Sequence, residues 1–111
     1  MNFGEQVPAV EAVAVPADAY LLDVREPDEW QAGHAPEAVH IPMSQLRDRA
    51  DEVPRDQDVY VICRVGGRSA QVTQALINAG WAAANVDGGM IAWAHHGRPM
   101  VTDDGSDPYV A

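Results

Sequence analysis

The sequence predicts an α/β domain with a mostly parallel sheet. Three observations lead to this fold class: an unbroken apolar run at residues 59–63, a helical apolar pattern at residues 72–79, and the alternation of such segments along the chain. At 111 residues the chain has room for one domain with a substantial core. Hydrophobic residues make up 47% and charged residues 22%, which is the balance of a folded globular protein.

The regular structure is predicted to begin with a short buried strand at residues 20–24, YLLDV. No strand or helix is assigned before it. Pro27 at a first helical position, followed by acidic residues, predicts one or two helical turns that end at Gly33. A second short strand is predicted at residues 38–41, in a segment that prolines interrupt.

A helix is predicted in the segment before Pro54. Ser44 is the expected N-terminal cap, and Leu46, Ala50 and Val53 would share one face. The apolar run VYVIC that follows, at residues 59–63, predicts a strand buried on both faces, as strands of parallel sheets are.

The last third of the chain predicts a helix, a strand and a second helix. The apolar stripe at residues 72–79 indicates an amphipathic helix that begins near Ser69, and Gly80 stands where a left-handed C-terminal residue belongs. A short strand is predicted at residues 83–86. Two glycines then lead into a last helix at residues 90–96.

The charge of the chain limits its partners. The formal net charge is −10, all seven basic residues are arginine, and residues 101–111 are predicted to be an acidic, flexible tail. Such a surface repels nucleic acids and anionic lipids, so we expect neither as a partner. An anionic small substrate is also repelled at long range, and its site must therefore create its own positive potential.

Cys63 is the one cysteine of the chain. An internal disulfide, a Cys-x-x-Cys redox pair and a thiolate-rich zinc site are thereby excluded, and we expect no metal and no cofactor. The first ten residues lack a basic region and a long apolar run, so no signal peptide is expected, and no stretch approaches the roughly 20 apolar residues of a membrane span. These features predict a cytoplasmic protein in which Cys63 is either an inert core residue or the chemical centre.

The sequence around Cys63 favours chemistry. Cys63 ends a predicted strand, and the residues after it lie at the carboxyl edge of the sheet, where open α/β folds bind ligands. Gly66 and Gly67 allow a tight turn whose N–H groups point inward, and the next helix adds the positive end of its dipole. Arg64 and Arg68 add fixed positive charges. Such surroundings lower the pKa of a thiol, so we expect a thiolate that attacks anions.

The spacing of this loop separates the candidate chemistries. A Walker phosphate-binding loop requires a lysine, and the chain has none. Cysteine phosphatases, by family resemblance, have five residues between cysteine and arginine, whereas four separate Cys63 from Arg68. A shorter loop forms a tighter cup, which is better matched to one terminal sulfur atom than to a phosphoryl group.

Three segments resemble the signatures of the single-domain rhodanese family of sulfurtransferases. They are LLDVREPDEWQAGHAPEAVHIP (21–42), CRVGGRS (63–69), which resembles the active-site loop, and DGGMIAW (87–93) followed by GRP (97–99). The resemblance implies a rhodanese-like domain over residues 1–100, with about five strands in a mostly parallel sheet and helices on both faces. It also implies that Cys63 carries a persulfide during the reaction.

The function that we expect is transfer of sulfane sulfur from an anionic, thiosulfate-like donor to an external thiol or cyanide, or to a protein thiol. Cys63 is the predicted nucleophile. The predicted substrate-binding loop consists of Arg64, Val65, Gly66, Gly67, Arg68 and Ser69. Two alternatives stay open: a persulfide carrier or sensor that acts on a protein partner, and a phosphatase or arsenate reductase that uses the same thiolate.

Other polar residues have simpler interpretations. Asp23 and Arg25 follow a strand at the same edge of the sheet, and they either line the pocket or form a structural pair, which we favour. His34 and His40 lack the spacing of metal ligands and are interpreted as loop residues. The acidic residues after Arg25, at positions 26, 28 and 29, are interpreted as a solvated first helical turn.

Overall fold

The computed structural model describes residues 7–111 and contains a five-stranded sheet in which neighbouring strands run parallel, in the order β1-β5-β4-β2-β3. The strands are β1 (Ala9–Glu11), β2 (Tyr20–Asp23), β3 (Val39–His40), β4 (Val59–Ile62) and β5 (Ala83–Asp87). The α-helices are α1 (Pro27–Ala32), α2 (Leu46–Arg49), α3 (Gly67–Asn78) and α4 (Gly89–His95). Residues 1–6, which include most of the segment used to exclude a signal peptide, lie outside the described residues. Between residues 7 and 111, no helix has both the length and the apolar character that crossing a membrane requires.

Each face of the sheet supports its own hydrophobic core, because successive side chains of a strand point to opposite faces. On one face, Leu22, Val61 and Cys63 pack with Val72 and Leu76 of α3. The opposite face carries a second cluster, formed by Leu21, Ile62, Val86, Met90 and Trp93. The buried run predicted at residues 59–63 therefore supplies both cores, and Cys63 extends from the central strand toward α3.

The strand β1 lies in a part of the chain where the sequence analysis assigned no element. It is three residues long, and Val10 is half-buried between two exposed neighbours. Val10 pairs with Val86 of β5. A single half-buried residue gives no periodic signal, and the strand forms because β5 presents an open edge to it.

The predicted helix from Ser44 to Val53 is wrong as a continuous helix. The segment folds as the short helix α2 between two 3₁₀ turns, Met43–Gln45 and Ala50–Glu52. Ser44 lies inside the first turn, which the Gln45 N–H closes by donating to Pro42 O at 2.8 Å. A capping residue needs extended backbone, so Ser44 is not the cap. The predicted apolar face is confirmed, since Leu46 and Val53 are buried in the first core and Ala50 packs against it.

The helix α3 begins at Gly67, two residues before the predicted start, and ends at Asn78. Gly80 follows as the predicted left-handed residue, with a φ of +103°. Its last turn is closed by Trp81 N–H donating to Leu76 O at 2.9 Å and Gly80 N–H donating to Ile77 O at 3.0 Å. This pair of bonds is the Schellman motif, which satisfies carbonyls that the helix end leaves without partners.

The C-terminal residues 101–111 lie against the domain. Val101 and His34 exchange main-chain hydrogen bonds of 2.8 and 3.0 Å, and Tyr109 N–H donates to Ala32 O at 2.9 Å. Val110 packs against the second core. The flexibility expected for these residues stays a prediction, while the contacts join them to the end of α1.

Candidate active site

Cys63 directly follows β4 at the carboxyl edge of the sheet, and its side chain is enclosed by the start of α3. The residue is 1% exposed. Its Sγ lies 3.1 Å from the amide nitrogen of Gly66, 3.4 Å from that of Ser69 and 3.2 Å from the Ser69 hydroxyl. Gly66 has a φ of +114°, a left-handed conformation that bends the loop around the sulfur. Hydrogen-bond donors thus converge on the sulfur, as an anion requires.

The loop is held in this shape by the start of α4. Met90 N–H donates to Cys63 O at 2.8 Å, and Ile91 N–H donates to Arg64 O at 3.0 Å. Gly89 allows this approach, because a Cβ on it would stand 2.4 Å from Cys63 O and 2.6 Å from the carbonyl carbon of Arg64. With these two loop carbonyls bound to α4, the amides farther along the loop face the sulfur.

The surroundings of the Cys63 sulfur determine the pKa of its thiol. Burial of the sulfur opposes ionisation and raises the pKa of the thiol. Hydrogen bonds from the hydroxyl and amide of Ser69 and from the amides of Gly66 and Val65 favour the thiolate and lower the pKa. The lowering contributions together exceed the effect of burial, so the pKa of Cys63 lies below its ordinary value.

Arg68 is engaged in an ion pair with Glu29 of α1. Its two terminal nitrogens lie 2.8 and 2.9 Å from the two carboxylate oxygens, and the side chain of Glu29 is only 14% exposed. The hydrogen bonds from Arg68 are the largest cause that lowers the pKa of Glu29 to about 2. Glu29 also accepts the N–H of Glu26 at 2.9 Å. The interpretation of Glu29 as solvated is therefore wrong, because the loop arginine covers it.

The remaining loop residues face solvent. Arg64 is exposed, and its Nε donates to the main-chain oxygen of Ala111 at 2.9 Å. Val65 is 57% exposed, and Gly67 is exposed with open space where a Cβ would be. Arg64 thus lies at the rim of the loop, while Arg68 lies between the loop and α1.

Asp23 and Arg25 form a buried structural pair. The Arg25 Nη2 lies 2.8 Å from an Asp23 carboxylate oxygen, and both side chains are fully buried. Arg25 also donates to the main-chain oxygens of Glu29 at 3.2 Å and Gly33 at 2.8 Å. The pair therefore fastens the middle and the C-terminal end of α1 to the end of β2, and through α1 it supports Glu29, the partner of Arg68.

Asn85 of β5 is a site residue that sequence reasoning missed. Its Oδ1 lies 2.5 Å from Ser69 Oγ, and its Nδ2 donates to Gly66 O at 3.2 Å. The residue is 6% exposed. A polar residue in the middle of the apolar strand AANVD was the available signal, since buried amides require hydrogen-bond partners.

The two histidines lie on either side of one tryptophan. The ring of His34 stacks on Trp30 at a centroid distance of 3.5 Å, and that of His40 stacks at 4.7 Å. His40 lies in β3, within the strand predicted at residues 38–41, so its interpretation as a loop residue is wrong. His34 Nδ1 is bound to Trp30 O and His40 Nε2 to Arg25 O, each at 2.8 Å. Both rings thus pack around α1.

The fold and the site together define an α/β domain with a cysteine of lowered pKa in a loop whose hydrogen-bond donors converge on its sulfur. The rhodanese-like domain family matches residues 9–96, and the chain belongs to that family. The predicted resemblance and the five-stranded parallel fold are confirmed. The family and its relatives support sulfur transfer as the general chemistry, and an enzyme of the rhodanese type.

Known proteins resemble the chain over most of its length. It is 42% identical over 89 residues to a sulfurtransferase of Allochromatium vinosum, which covers 79% of this chain and 83% of that protein. A rhodanese-related protein of Thermoplasma volcanium has a TM-score of 0.82 at 32% identity, over 86% of this chain and 99% of that one. The thiosulfate sulfurtransferase of Pseudomonas aeruginosa has a TM-score of 0.77 at 30% identity, over 95% of this chain and 22% of that one.

Proposed function

We propose that this protein transfers sulfane sulfur through a persulfide on Cys63. The Cys63 thiolate attacks the outer sulfur of a thiosulfate-like donor, a new S–S bond forms, and sulfite leaves with the electron pair of the broken S–S bond. An external thiolate or cyanide then attacks the terminal sulfur of Cys63–S–S⁻. The products are a new persulfide or thiocyanate, and the Cys63 thiolate is regenerated.

The observation that carries this proposal is the set of donors around Cys63 Sγ. The amides of Gly66 and Ser69, at 3.1 and 3.4 Å, favour a charged sulfur. They supply the local positive potential that an anion needs on a protein whose net charge is −10. We also infer a cytoplasmic location, because Cys63 must stay a free thiol to act as the nucleophile and the cytoplasm keeps thiols reduced.

The two loop arginines have different proposed roles. Arg68 places both terminal nitrogens on Glu29, so its main role is to hold the loop on α1. Arg64 is exposed at the rim, where its guanidinium attracts the oxyanion of an arriving donor. This assignment divides between two residues the role that the sequence analysis gave to both arginines.

A persulfide carrier that delivers sulfur to a protein thiol is the second candidate. It is favoured by the apolar rim of the site, where Val65 is 57% and Ile91 42% exposed, because such side chains suit contact with a protein. The phosphatase alternative is disfavoured, since Glu29 occupies both terminal nitrogens of Arg68, the groups that would otherwise bind a phosphoryl oxygen.

The test is the intact mass of the reduced protein after brief incubation with thiosulfate, beside Cys63→Ser. We expect a gain of one sulfur atom that cyanide reverses and that is absent from the variant. Turnover with thiosulfate and cyanide then separates an enzyme from a carrier. A reactive Cys63 that gains no sulfur from thiosulfate or another sulfane donor contradicts the proposal.

A further inference from the structure

The hydroxyl of Ser69 has one hydrogen and two neighbours that compete for it. Ser69 Oγ lies 2.5 Å from Asn85 Oδ1 and 3.2 Å from Cys63 Sγ. A serine hydroxyl donates one hydrogen bond at a time, although it accepts up to two. The partner that receives the O–H therefore depends on what each neighbour can itself donate.

The orientation of the Asn85 amide is determined by Gly66. Asn85 Nδ2 donates to the carbonyl oxygen of Gly66 at 3.2 Å. If the amide were turned over, Oδ1 would face that carbonyl, and two acceptors would lie in contact without a hydrogen. Asn85 Oδ1 consequently faces Ser69, where it can only accept.

The direction of the Ser69 O–H then follows from the charge on Cys63. When Cys63 is a thiol, its S–H donates to Ser69 Oγ and the Ser69 O–H donates to Asn85, so each group has a partner. When the thiol loses its proton to water, the charged sulfur becomes a stronger acceptor than the neutral Asn85 oxygen, and the O–H turns from Asn85 toward Sγ. We propose that Asn85 is a positioning residue that holds the Ser69 O–H while Cys63 is a thiol and yields it, by rotation about the Cβ–Oγ bond, when Cys63 ionises.

Because of this exchange, Asn85 opposes the ionisation of Cys63. Ionisation of Cys63 gains the hydrogen bond from Ser69 but breaks the short one to Asn85. In the persulfide, which rests on the proposed function, Sγ is an uncharged divalent sulfur and the O–H returns to Asn85. In the persulfide the charge is on the terminal sulfur, so the Ser69 hydroxyl does not stabilise Sγ. In the second step Sγ becomes a thiolate again, and the hydroxyl then stabilises it.

The other charged groups near Cys63 remain the same when Asn85 is changed. They are Arg64 in the loop, Arg68 of α3 with Glu29 of α1, the Asp23–Arg25 pair at the end of β2, and Asp87 at the exposed end of β5. The start of α4 contributes main-chain groups to the loop, through Gly89 and Met90. A shift caused by Asn85 is therefore attributable to Ser69 or to Gly66, the two residues that it contacts at the site.

A double-mutant cycle on the full chain separates these two routes. The readout is the pH midpoint of alkylation by iodoacetamide, which reports on Cys63 alone because the chain has one cysteine. Asn85→Ala is expected to lower the midpoint by about one pH unit, since the thiolate then receives the Ser69 O–H without competition. Asn85→Asp keeps an acceptor, adds a negative charge and is expected to raise the midpoint by about one unit.

The Ser69→Ala background decides the mechanism. In this background there is no hydroxyl to redirect, so Asn85→Ala should leave the pH midpoint unchanged within about 0.2 units. That limit is smaller than the shift that one weak hydrogen bond causes. The same downward shift in both backgrounds would show that Asn85 acts through Gly66. No shift or an upward shift in the otherwise wild-type chain, which keeps Ser69, would also overturn the proposal. Thiosulfate is absent from this assay, so its outcome is independent of whether the persulfide forms.

Discussion

Arg68 of the reactive loop and Glu29 of α1 form a two-pronged ion pair, with nitrogen–oxygen distances of 2.8 and 2.9 Å. Glu29 also accepts the N–H of Glu26 and so stabilises the first turn of its own helix. One carboxylate therefore joins the start of α1 to the start of α3. The conformation of the loop around Cys63 depends on this connection as well as on its own glycines.

The first prediction concerns acid stability. The pKa of Glu29 is lowered to about 2 from 4.5, so the pair stabilises the folded state fully above the unfolded value, and the contribution is lost as the pH falls toward 2. Because Arg68 is 35% exposed, we discount the shift for solvent screening and expect Glu29→Gln to lower the free energy of unfolding by about 1 kcal/mol at pH 7.

Urea unfolding at several pH values measures this effect. The difference between the wild type and Glu29→Gln should be constant above about pH 5.5 and should shrink as the pH falls through the range between the two pKa values. Asp28→Asn is the matched control, because Asp28 is exposed in the same helical turn. A difference that grows toward acid pH would contradict the assignment.

The sequence predicted which residues surround Cys63 in the loop better than it predicted the contacts that hold the loop in place. Cys63, Gly66 and Ser69 lie within seven residues, so their meeting follows from one strand, one turn and one helix start. Glu29 lies 39 residues from Arg68, and Asn85 comes from a different strand. Contacts of this kind depend on how whole elements pack, and a local pattern contains no information about them.

The same distinction explains the errors in the fold. The central strand was predictable because both its faces are buried, as in Val61 and Ile62. The three residues of β1 receive their hydrogen bonds from β5, near the other end of the chain. Ser44 has the right residue type for a cap, but it lies inside the 3₁₀ turn that follows Pro42 and therefore lacks the extended backbone of a cap. Tertiary pairing and local turns override residue preference in both cases.

The second prediction separates the two loop arginines by kinetics. Arg68→Ala should lower kcat/KM for thiosulfate and the alkylation rate of Cys63 together, each by about 10-fold, because the loop loses its hold on α1. Arg64→Ala should raise KM about 5-fold with little change in alkylation, because it removes an attractive charge from the rim. Steady-state kinetics with thiosulfate and cyanide give kcat/KM and KM, and a quenched time course with iodoacetamide gives the alkylation rate of Cys63.

Controls make this comparison specific. Arg47→Ala changes the net charge equally from an exposed position on α2 and should leave both quantities unchanged. Arg68→Ala combined with Glu29→Gln should be little worse than either alone, since each removes the same contact. Additive losses of activity in the Arg68→Ala, Glu29→Gln double variant would contradict the shared contact. Loss of thiol reactivity in Arg64→Ala would contradict the role proposed for Arg64.

The third prediction tests the contact between α4 and the loop. Gly89→Ala would place a Cβ 2.4 Å from Cys63 O at a φ of +55°, so the loop and α4 must separate. We expect a loss of about 3 kcal/mol in the free energy of unfolding and slower alkylation of Cys63. Gly97→Ala is the control, because its φ is +70° but nothing lies within 4 Å of the new Cβ. It should cost about 1 kcal/mol and leave alkylation unchanged, and equal effects of the two substitutions would mean that backbone strain alone is responsible.

The last prediction links the thiolate to stability. The folded state lowers the pKa of Cys63, despite the opposing effect of burial, through hydrogen bonds from Ser69, Gly66 and Val65. A lowered pKa stabilises the folded state fully above the unfolded value of about 8.5, and this contribution is lost as the pH falls through the folded value. The stability of the reduced wild type relative to Cys63→Ser should therefore rise with pH across that window, as measured by urea unfolding, while alkylation of Cys63 continues below about pH 8. A relative stability that is flat or falls with pH, with alkylation lost below pH 8, would mean that Cys63 is an ordinary buried thiol whose surroundings favour its protonated form.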